Sequence, residues 1–257
     1  MKTEDSRIRL DMLLLERGMA PSRERARALI LSGSVLVEEE NICKAGTLVR
    51  KDSNVRIRGE ENPYASRGGI KLKGAIAHFK IDVGGLVAVD VGASTGGFTD
   101  CLLQEGATRV YAIDVGYGQL AWKLRSDPRV SLFERTNIRY FSGEGIANTI
   151  DIATIDVSFI SLTLVLPVVA DLVRKGAIIL ALIKPQFEAG RGEVGKNGVV
   201  KDEKVHKKVC DEIVACAESL NLNVVGICES PIKGPAGNRE FFLYARKNCN
   251  MSEIHLK

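Results

Sequence analysis

The sequence predicts an α/β protein with two domains, a small α+β domain followed by a larger domain built on a mostly parallel sheet. Three observations predict this. The 257 residues suffice for a small domain and a medium one. From residue 66 onwards, apolar runs of strand length alternate with helical patterns, which is typical of α/β sheets. Only a loop separates the last two apolar runs, which predicts that the final strand is antiparallel.

The small domain is expected to occupy residues 1–60. Apolar spacing predicts a short first helix that ends at Gly18. A second helix is expected to begin after Ser22, which suits an N-cap, and to end at Gly33. Short alternating runs then predict three strands, at residues 35–37, 48–50 and 55–57.

The polar stretch around residues 59–63 disfavours helix and predicts a boundary, with a linker at 61–65 and the larger domain at 66–257. A helix is expected over residues 66–79 and a long helix around 201–220. The larger domain is predicted to contain seven strands, near 86–91, 109–114, 130–133, 152–157, 177–183, 224–227 and 241–245.

Arginine is concentrated in the first half of the small domain, although the formal net charge of the whole chain is only +4. Arginine at this density favours contact with phosphate groups. A solvated charged face explains the pattern equally well, so RNA binding is one of two interpretations. The positions are Arg7, Arg9, Arg17, Arg23, Arg25 and Arg27.

A glycine-rich turn follows the first strand of the larger domain, between Asp90 and Gly97. Such a turn lets backbone N–H groups approach a nucleotide-like ligand, and Asp114, about 20 positions further on, suits the hydroxyls of a ribose. The glycine spacing fits neither a dinucleotide fingerprint nor a phosphate-binding P-loop. Because Asp90 would repel a phosphate but could accept a bond from an ammonium, S-adenosylmethionine is favoured over a nicotinamide cofactor.

Four charged residues are candidates for catalysis. Asp156 and Lys184 end predicted strands, Glu240 begins the last strand, and Lys71 lies in the helix that precedes the first. Ligands bind outside the carboxyl ends of strands in such sheets. A lysine that is desolvated near another cation can take a proton from a ribose hydroxyl. Two structural ion pairs explain the same pattern with about equal weight.

The order of the motifs resembles a known family. The small domain resembles the αL RNA-binding module of the ribosomal-protein-S-four type, and the remainder resembles the TlyA (hemolysin-A-like) group of FtsJ-like ribose 2′-O-methyltransferases. The motifs of the small domain are Arg9-Leu-Asp11, Arg17-Gly18, Ser22-Arg23, Ala26 and Gly33-x-Val35-x-Val37. Those of the larger domain are Ser66-Arg-Gly-Gly-Ile-Lys71-Leu72, Asp90-Val-Gly92-Ala-Ser-Thr-Gly-Gly97-Phe98-Thr99, Asp156-Val-Ser-Phe-Ile-Ser161, Lys184-Pro-Gln-Phe-Glu188 and Gly237-Asn-Arg-Glu240.

The resemblance implies a Rossmann-like, S-adenosylmethionine-dependent methyltransferase that acts on a cytidine ribose in ribosomal RNA or a ribosomal subunit. It implies that Lys71, Asp156, Lys184 and Glu240 are a catalytic tetrad, with Lys184 as the base that takes the 2′-hydroxyl proton. No metal is expected. The residues implied to bind the cofactor are Asp90, Gly92, Ser94, Thr95, Gly96, Gly97, Phe98, Asp114 and Asn137. Arg67 joins the six arginines of the small domain as an expected RNA contact. For Phe98 and Trp122, packing in the core is the preferred interpretation.

Composition limits the remaining classes of function. No apolar run reaches the roughly 18 residues of a membrane helix, and the polar start lacks a signal-peptide core, so a cytoplasmic protein without stable membrane association is expected. The six cysteines form no C-x-x-C pair, so no structural zinc site is expected. Two alternatives are a non-catalytic ribosome-assembly factor, which predicts a disrupted tetrad, and a hemolysin-like membrane-active protein, which needs a membrane-inserting segment.

Overall fold

A computed structural model describes residues 7–57, 62–190 and 192–249 of the chain. The chain divides into two compact units, residues 1–61 and 62–257. Residue 61 of the predicted linker lies outside the described residues.

The small unit holds two short helices and two antiparallel sheets. Strand β1 pairs with β4, and β2 lies between β3 and β5. The elements are β1 (Arg7–Arg9), α1 (Leu10–Glu16), α2 (Arg23–Leu31), β2 (Val35–Val37), β3 (Glu40–Asn41), β4 (Leu48–Arg50) and β5 (Val55–Ile57). The three predicted strands are confirmed. The sequence did not reveal β1 or β3, because β1 has a single apolar residue between two arginines and β3 has two exposed polar residues.

The helices of the small unit begin and end where the sequence predicts. Ser22 caps α2 by accepting a hydrogen bond from the N–H of Arg25 at 3.2 Å, and Gly33 follows the helix with a φ of +71°. Leu10 and Leu14 on α1 and Ile30 on α2 are fully buried and belong to one apolar core within the small unit.

The larger unit contains a seven-stranded sheet in the order β11-β12-β10-β9-β6-β7-β8. Neighbours from β10 through β8 are parallel, and β12 runs antiparallel to both β10 and β11, as predicted. The strands are β6 (Val87–Val91), β7 (Arg109–Ile113), β8 (Val130–Phe133), β9 (Ile150–Ile155), β10 (Val173–Ile183), β11 (Leu222–Glu229) and β12 (Phe241–Lys247). The helices are α3 (Gly68–Phe79), α4 (Gly97–Gln104), α5 (Trp122–Arg125), α6 (Leu166–Leu172), α7 (Pro185–Glu188) and α8 (Glu203–Ser219).

Alternation along the central strands divides the core into two layers. On β6, Ala88 belongs to one apolar cluster, whereas Val89 and Val91 belong to the cluster on the other face of the sheet. Helices α3 and α4 cover the first face, and α6 and α8 cover the second. Strand β10 begins four residues before the predicted start, because Arg174 and Lys175 interrupt the apolar run at a register shift in the strand.

Trp122 is not a core residue. Its exposed fraction is 77%, because α5 has only four residues and Leu124 occupies the buried position of that short helix. The expectation that Phe98 packs in the core is confirmed, since its ring is buried and stacks on Phe242. Among the described residues, no helix is both long and apolar enough to cross a bilayer.

Candidate active site

The ends of three adjacent strands bring the charged candidates to one edge of the sheet. Asp156 directly follows β9 and Lys184 directly follows β10. In the antiparallel register Ile183 lies opposite Phe241, so Glu240, the residue before β12, reaches the same edge as Lys184. This placement is the consequence of inserting an antiparallel strand beside β10.

Lys184 is held by one ion pair and two hydrogen bonds at the end of β10. Its Nζ atom lies 2.6 Å from Asp156 Oδ1 and donates hydrogen bonds to Val157 O at 2.9 Å and Ser158 Oγ at 3.0 Å. Only 8% of Lys184 is exposed. Pro185 begins α7 immediately afterwards and leads the backbone out of the strand, so the ammonium group stays at the sheet edge.

Lys71 and Glu240 form a second buried pair. Nζ of Lys71, on α3, donates to Glu240 Oε2 at 2.7 Å, and the exposed fractions of the two side chains are 9% and 1%. Gly234 closes over the pair, since a Cβ atom there would lie 2.4 Å from Glu240 Oε1. A buried ion pair of this kind loses much stability when one partner is removed.

Two adjoining cavities lie beside these residues. The smaller has a volume of about 380 Å³, and Lys71, Asp156 and Lys184 all line it. The larger has a volume of about 700 Å³, and its lining includes Asp114 and Asn137. Both cavities share four lining residues, Gly92, Ser94, Asp156 and Ser158. Glu240 lines neither cavity, so it reaches the site through Lys71.

Two positions of the glycine-rich turn need glycine, because a side chain there would collide with neighbouring protein atoms. Gly92 has a φ of +87°, and a Cβ atom there would lie 2.5 Å from the backbone oxygen of Asp156. A Cβ atom at Gly97 would lie 2.2 Å from Ser66 Oγ. Ser94, Thr95 and Phe98 also line the smaller cavity, beside these glycines.

Two backbone N–H groups orient the carboxylate of Asp114. One carboxylate oxygen accepts from the N–H of Ser94 at 2.7 Å and the other from the N–H of Gly116 at 2.6 Å. Each oxygen keeps a lone pair for a ribose hydroxyl in the larger cavity. An acidic acceptor in one cavity and a backbone cradle next to it fit a ligand with a nucleoside end and an amino-acid end.

Two predicted cofactor residues lie away from these cavities. Asp90 is fully buried, where its carboxylate accepts from Thr99 Oγ1 at 2.6 Å and from Thr154 Oγ1 at 3.3 Å. Burial raises the pKa of Asp90 to about 7, although the Thr99 hydrogen bond opposes the shift. A Cβ atom at Gly96 would lie 2.2 Å from the Leu124 side chain, so this glycine serves packing at the start of α4.

The predicted RNA-contacting arginines differ in their surroundings. Arg9 and Arg23 donate to the buried carboxylate of Asp11 at 2.9–3.0 Å, and Arg27 lies 3.8 Å from it. The Arg9 hydrogen bond lowers the pKa of Asp11 to about 2. Arg7, Arg17 and Arg25 are exposed. Arg67 lines the smaller cavity and donates to Lys233 O at 2.9 Å.

Sequence reasoning missed several residues of the cavities. Ser158, two positions after Asp156, contacts Lys184 and lines both cavities. Its place in the Asp156–Ser161 motif was the available signal. Ser66 and Lys233 also line the smaller cavity, but they come from loops whose approach to the site depends on tertiary packing.

Comparisons with known proteins agree with both units. Residues 64–247 match the FtsJ-like methyltransferase family and residues 8–55 match the S4 domain. The 16S/23S rRNA (cytidine-2′-O)-methyltransferase TlyA of Mycobacterium tuberculosis is 44% identical over 241 residues, covering 93% of this chain and 90% of that protein. Hemolysin A of Brachyspira hyodysenteriae is 37% identical over 238 residues, covering 92% and 99%. A solved structure from Streptococcus thermophilus, whose description also uses the word hemolysin, has a TM-score of 0.74 at 41% identity and covers 95% of this chain and 90% of that chain.

The fold and the site therefore define an S-adenosylmethionine-dependent methyltransferase that carries an RNA-binding S4 domain and takes RNA as its substrate. More specifically, the chain belongs to the TlyA family, in which an S4 domain precedes an FtsJ-like methyltransferase domain.

Proposed function

We propose that the protein transfers a methyl group to the 2′-hydroxyl of a cytidine in ribosomal RNA. The observation that carries the proposal is the buried lysine Lys184, held against Asp156 in a cavity that adjoins the Asp114 cavity. The TlyA proteins of the comparison are named for this reaction. All four residues of the predicted tetrad are present and paired, which favours an enzyme over a non-catalytic assembly factor.

S-adenosylmethionine, when bound, supplies a methyl group on a positively charged sulfur. We assign its nucleoside end to the larger cavity, where Asp114 would accept hydrogen bonds from the ribose hydroxyls and Asn137 would contact the adenine. The glycine-rich turn from Gly92 to Gly97 would surround the amino-acid end through backbone N–H groups. Glycine at positions 92 and 97 lets the turn lie directly against Asp156 and Ser66, since a Cβ atom at either position would collide with those residues.

The reaction needs a base because a ribose hydroxyl is a poor nucleophile. In the proposal Lys184 accepts the hydroxyl proton, and Asp156 stabilises the ammonium that forms. Lys71 positions the target ribose in the smaller cavity, and Glu240 holds Lys71 in place. Holding the two reactants in line supplies a large part of the acceleration.

The S4 unit is proposed to bind the ribosomal RNA or the ribosomal subunit. Its exposed arginines suit phosphate groups, and Asp11 orients Arg9 and Arg23. The cytoplasm is the proposed location, because all six cysteines are free thiols, as is usual in a reducing compartment.

The base is tested by replacing Lys184 with Ala in the full-length protein. We expect transfer of a labelled methyl group to ribosomal RNA to fall by at least about 10²-fold. Affinity for S-adenosylmethionine, measured by calorimetry, should stay within a few fold. Lys73→Ala is the matched control, since Lys73, on α3, is also a lysine paired with a carboxylate, that of Glu105, but it lines neither cavity. Normal transfer by the Lys184 variant would refute the proposed base.

The proposed RNA binding by the S4 unit is tested with Arg25→Ala, a substitution at an exposed position of α2. Loss of a phosphate contact should weaken RNA binding and reduce the salt dependence of binding, by roughly 0.7–0.9 in the slope of log K against log salt. Arg56→Ala, which removes an exposed arginine paired with Glu39, is the control. An unchanged salt slope would assign RNA binding to other residues. Mapping 2′-O-methylated nucleotides in ribosomal RNA with and without the protein identifies the target.

A further inference from the structure

Lys184 Nζ donates two hydrogen bonds and takes part in one ion pair, so three oxygen atoms surround its nitrogen. A protonated lysine has three N–H bonds besides the bond to carbon. Val157 O and Ser158 Oγ accept hydrogen bonds from Nζ at 2.9 and 3.0 Å, and Asp156 Oδ1 lies 2.6 Å from Nζ in an ion pair without hydrogen-bond geometry. The face of the Phe187 ring lies 5.8 Å away and adds an apolar side. This set of neighbours matches the ammonium that a base becomes after it has taken a proton.

Before it takes the proton, the amine has two N–H bonds and one lone pair, and the lone pair can accept a hydrogen bond only from a neighbour that donates one. A carboxylate and a backbone carbonyl offer only lone pairs of their own, and they would be repelled. Ser158 is the one contact of the three that can also donate, because its hydroxyl rotates. Among these three neighbours, Ser158 Oγ is therefore the one that can donate a hydrogen bond to the lone pair of Lys184.

Ser158 is also placed to meet a substrate. It is exposed, and it lines both the Lys71–Lys184 cavity and the Asp114 cavity. The loop that carries it is anchored by Glu188, which accepts from Ser161 Oγ at 2.6 Å and from the N–H of Leu162 at 2.9 Å. Phe159, the next residue, has a φ of +64°. This left-handed backbone conformation is unfavourable for a non-glycine residue and persists only where the surrounding structure constrains it.

We propose that the Ser158 hydroxyl relays the proton from the substrate hydroxyl to Lys184. This rests on the proposed 2′-O-methylation and adds a residue to it. The substrate O–H bond breaks as its proton passes to Ser158 Oγ, and the Ser158 O–H bond breaks as its own proton passes to Nζ. The substrate oxygen bonds to the methyl carbon as the bond from that carbon to sulfur breaks and leaves its electron pair on sulfur. Positive charge thus moves from sulfur to Lys184, where the Asp156 carboxylate and the two hydrogen-bond acceptors stabilise it.

The test compares Ser158→Ala with Ser158→Thr in the full-length enzyme, under single-turnover conditions with saturating S-adenosylmethionine and ribosomal RNA. Loss of the hydroxyl should slow transfer by about 10²-fold, whereas Thr, which keeps the hydroxyl, should stay within about fivefold of the original enzyme. Calorimetry should show cofactor and RNA affinities unchanged in both variants. Ser219→Ala, which removes an exposed hydroxyl at the end of α8, is the control.

A second readout separates a relay from a purely structural role. Because two protons move in a relay, a plot of the transfer rate of the original enzyme against the deuterium fraction of the solvent should be curved. The same plot for Ser158→Ala should be a straight line. Transfer by Ser158→Ala within threefold of the original rate, or a Thr variant as slow as the Ala variant, overturns the relay. If Lys184→Ala is inactive while Ser158→Ala is active, the relay fails and the proposed function stands. If Lys184→Ala is also active, the base assignment fails as well.

Discussion

The buried carboxylate of Asp90 should make the protein less stable as the pH rises. Asp90 lies fully buried at the end of β6, next to two threonine hydroxyls, Thr99 and Thr154. Burial raises its pKa from 3.8 to about 7, and the negative charge of Asp156 adds to the shift. The pKa of Asp90 is higher in the folded protein than in the unfolded chain. Its favourable contribution to the free energy of unfolding is therefore complete below pH 3.8 and is lost as the pH rises through about 7. The full difference corresponds to about 4 kcal/mol.

Replacing Asp90 with Asn removes this pH dependence and leaves the shape of the side chain. The amide oxygen can still accept from Thr99, and the amide nitrogen can donate to Thr154. We expect the free energy of unfolding of the variant, relative to the original protein, to rise by about 3 kcal/mol between pH 5 and pH 8. The variant should be the more stable protein at pH 8.

Urea unfolding followed by circular dichroism at pH 5, 6.5 and 8 measures the effect. Asp82→Asn, at an exposed carboxylate of the same unit, is the control, and we expect it to change stability by less than about 0.5 kcal/mol at each pH. Parallel pH profiles for the original protein and the Asp90 variant, or a variant that is less stable at pH 8, would show that this carboxylate is not held in a desolvated site.

Three further predictions concern other buried or aimed groups. Asp114→Asn should weaken S-adenosylmethionine binding by about 10- to 100-fold, since hydrogen bonds to a charged acceptor are lost, and equal affinities by calorimetry would contradict this. Asn238→Ala should lower the free energy of unfolding by roughly 2–4 kcal/mol, because this side chain is 1% exposed and forms hydrogen bonds with Val200 N and Gly198 O. Urea unfolding measures the change, and a change no larger than that of the control Asn248→Ala would refute the prediction. Asp11→Ala should destabilise the small unit by about 1–3 kcal/mol and weaken RNA binding, whereas Asp52→Ala, whose carboxylate is exposed, should do neither in thermal unfolding and filter binding.

The parts of the site that the sequence revealed are those with a local pattern. Gly92 and Asp114 could be recognised because a tight turn and an acidic residue after the next strand are local features. Asp156 and Lys184 could be placed at strand ends because continuous apolar runs precede them. Their catalytic roles and those of Lys71 and Glu240 stay predictions, which the variants above test.

The spacing of the charged residues could not give their pairing, because it depends on register between strands far apart in the chain. The pairs Lys71–Glu240 and Lys184–Asp156 follow from the insertion of β12 beside β10 and from the packing of α3 against the sheet. The alternation of side chains on β6, together with packing, decides that Asp90 meets threonines and not a ligand. The same holds for Trp122, whose exposure depends on how short α5 is.

The amino-acid sequence alone predicts two domains, a mostly parallel sheet with an antiparallel last strand, and a glycine-rich turn for ligand binding. These features are predictable because hydrophobic periodicity and turn-forming residues act over a few neighbouring positions. Only the tertiary structure decides which carboxylate pairs with which lysine and which predicted residues line the cavities. It also decides that Ser158 contacts Lys184. The physical reason is distance along the chain. Contacts between residues such as Lys71 and Glu240, 169 positions apart, depend on the whole sheet being assembled.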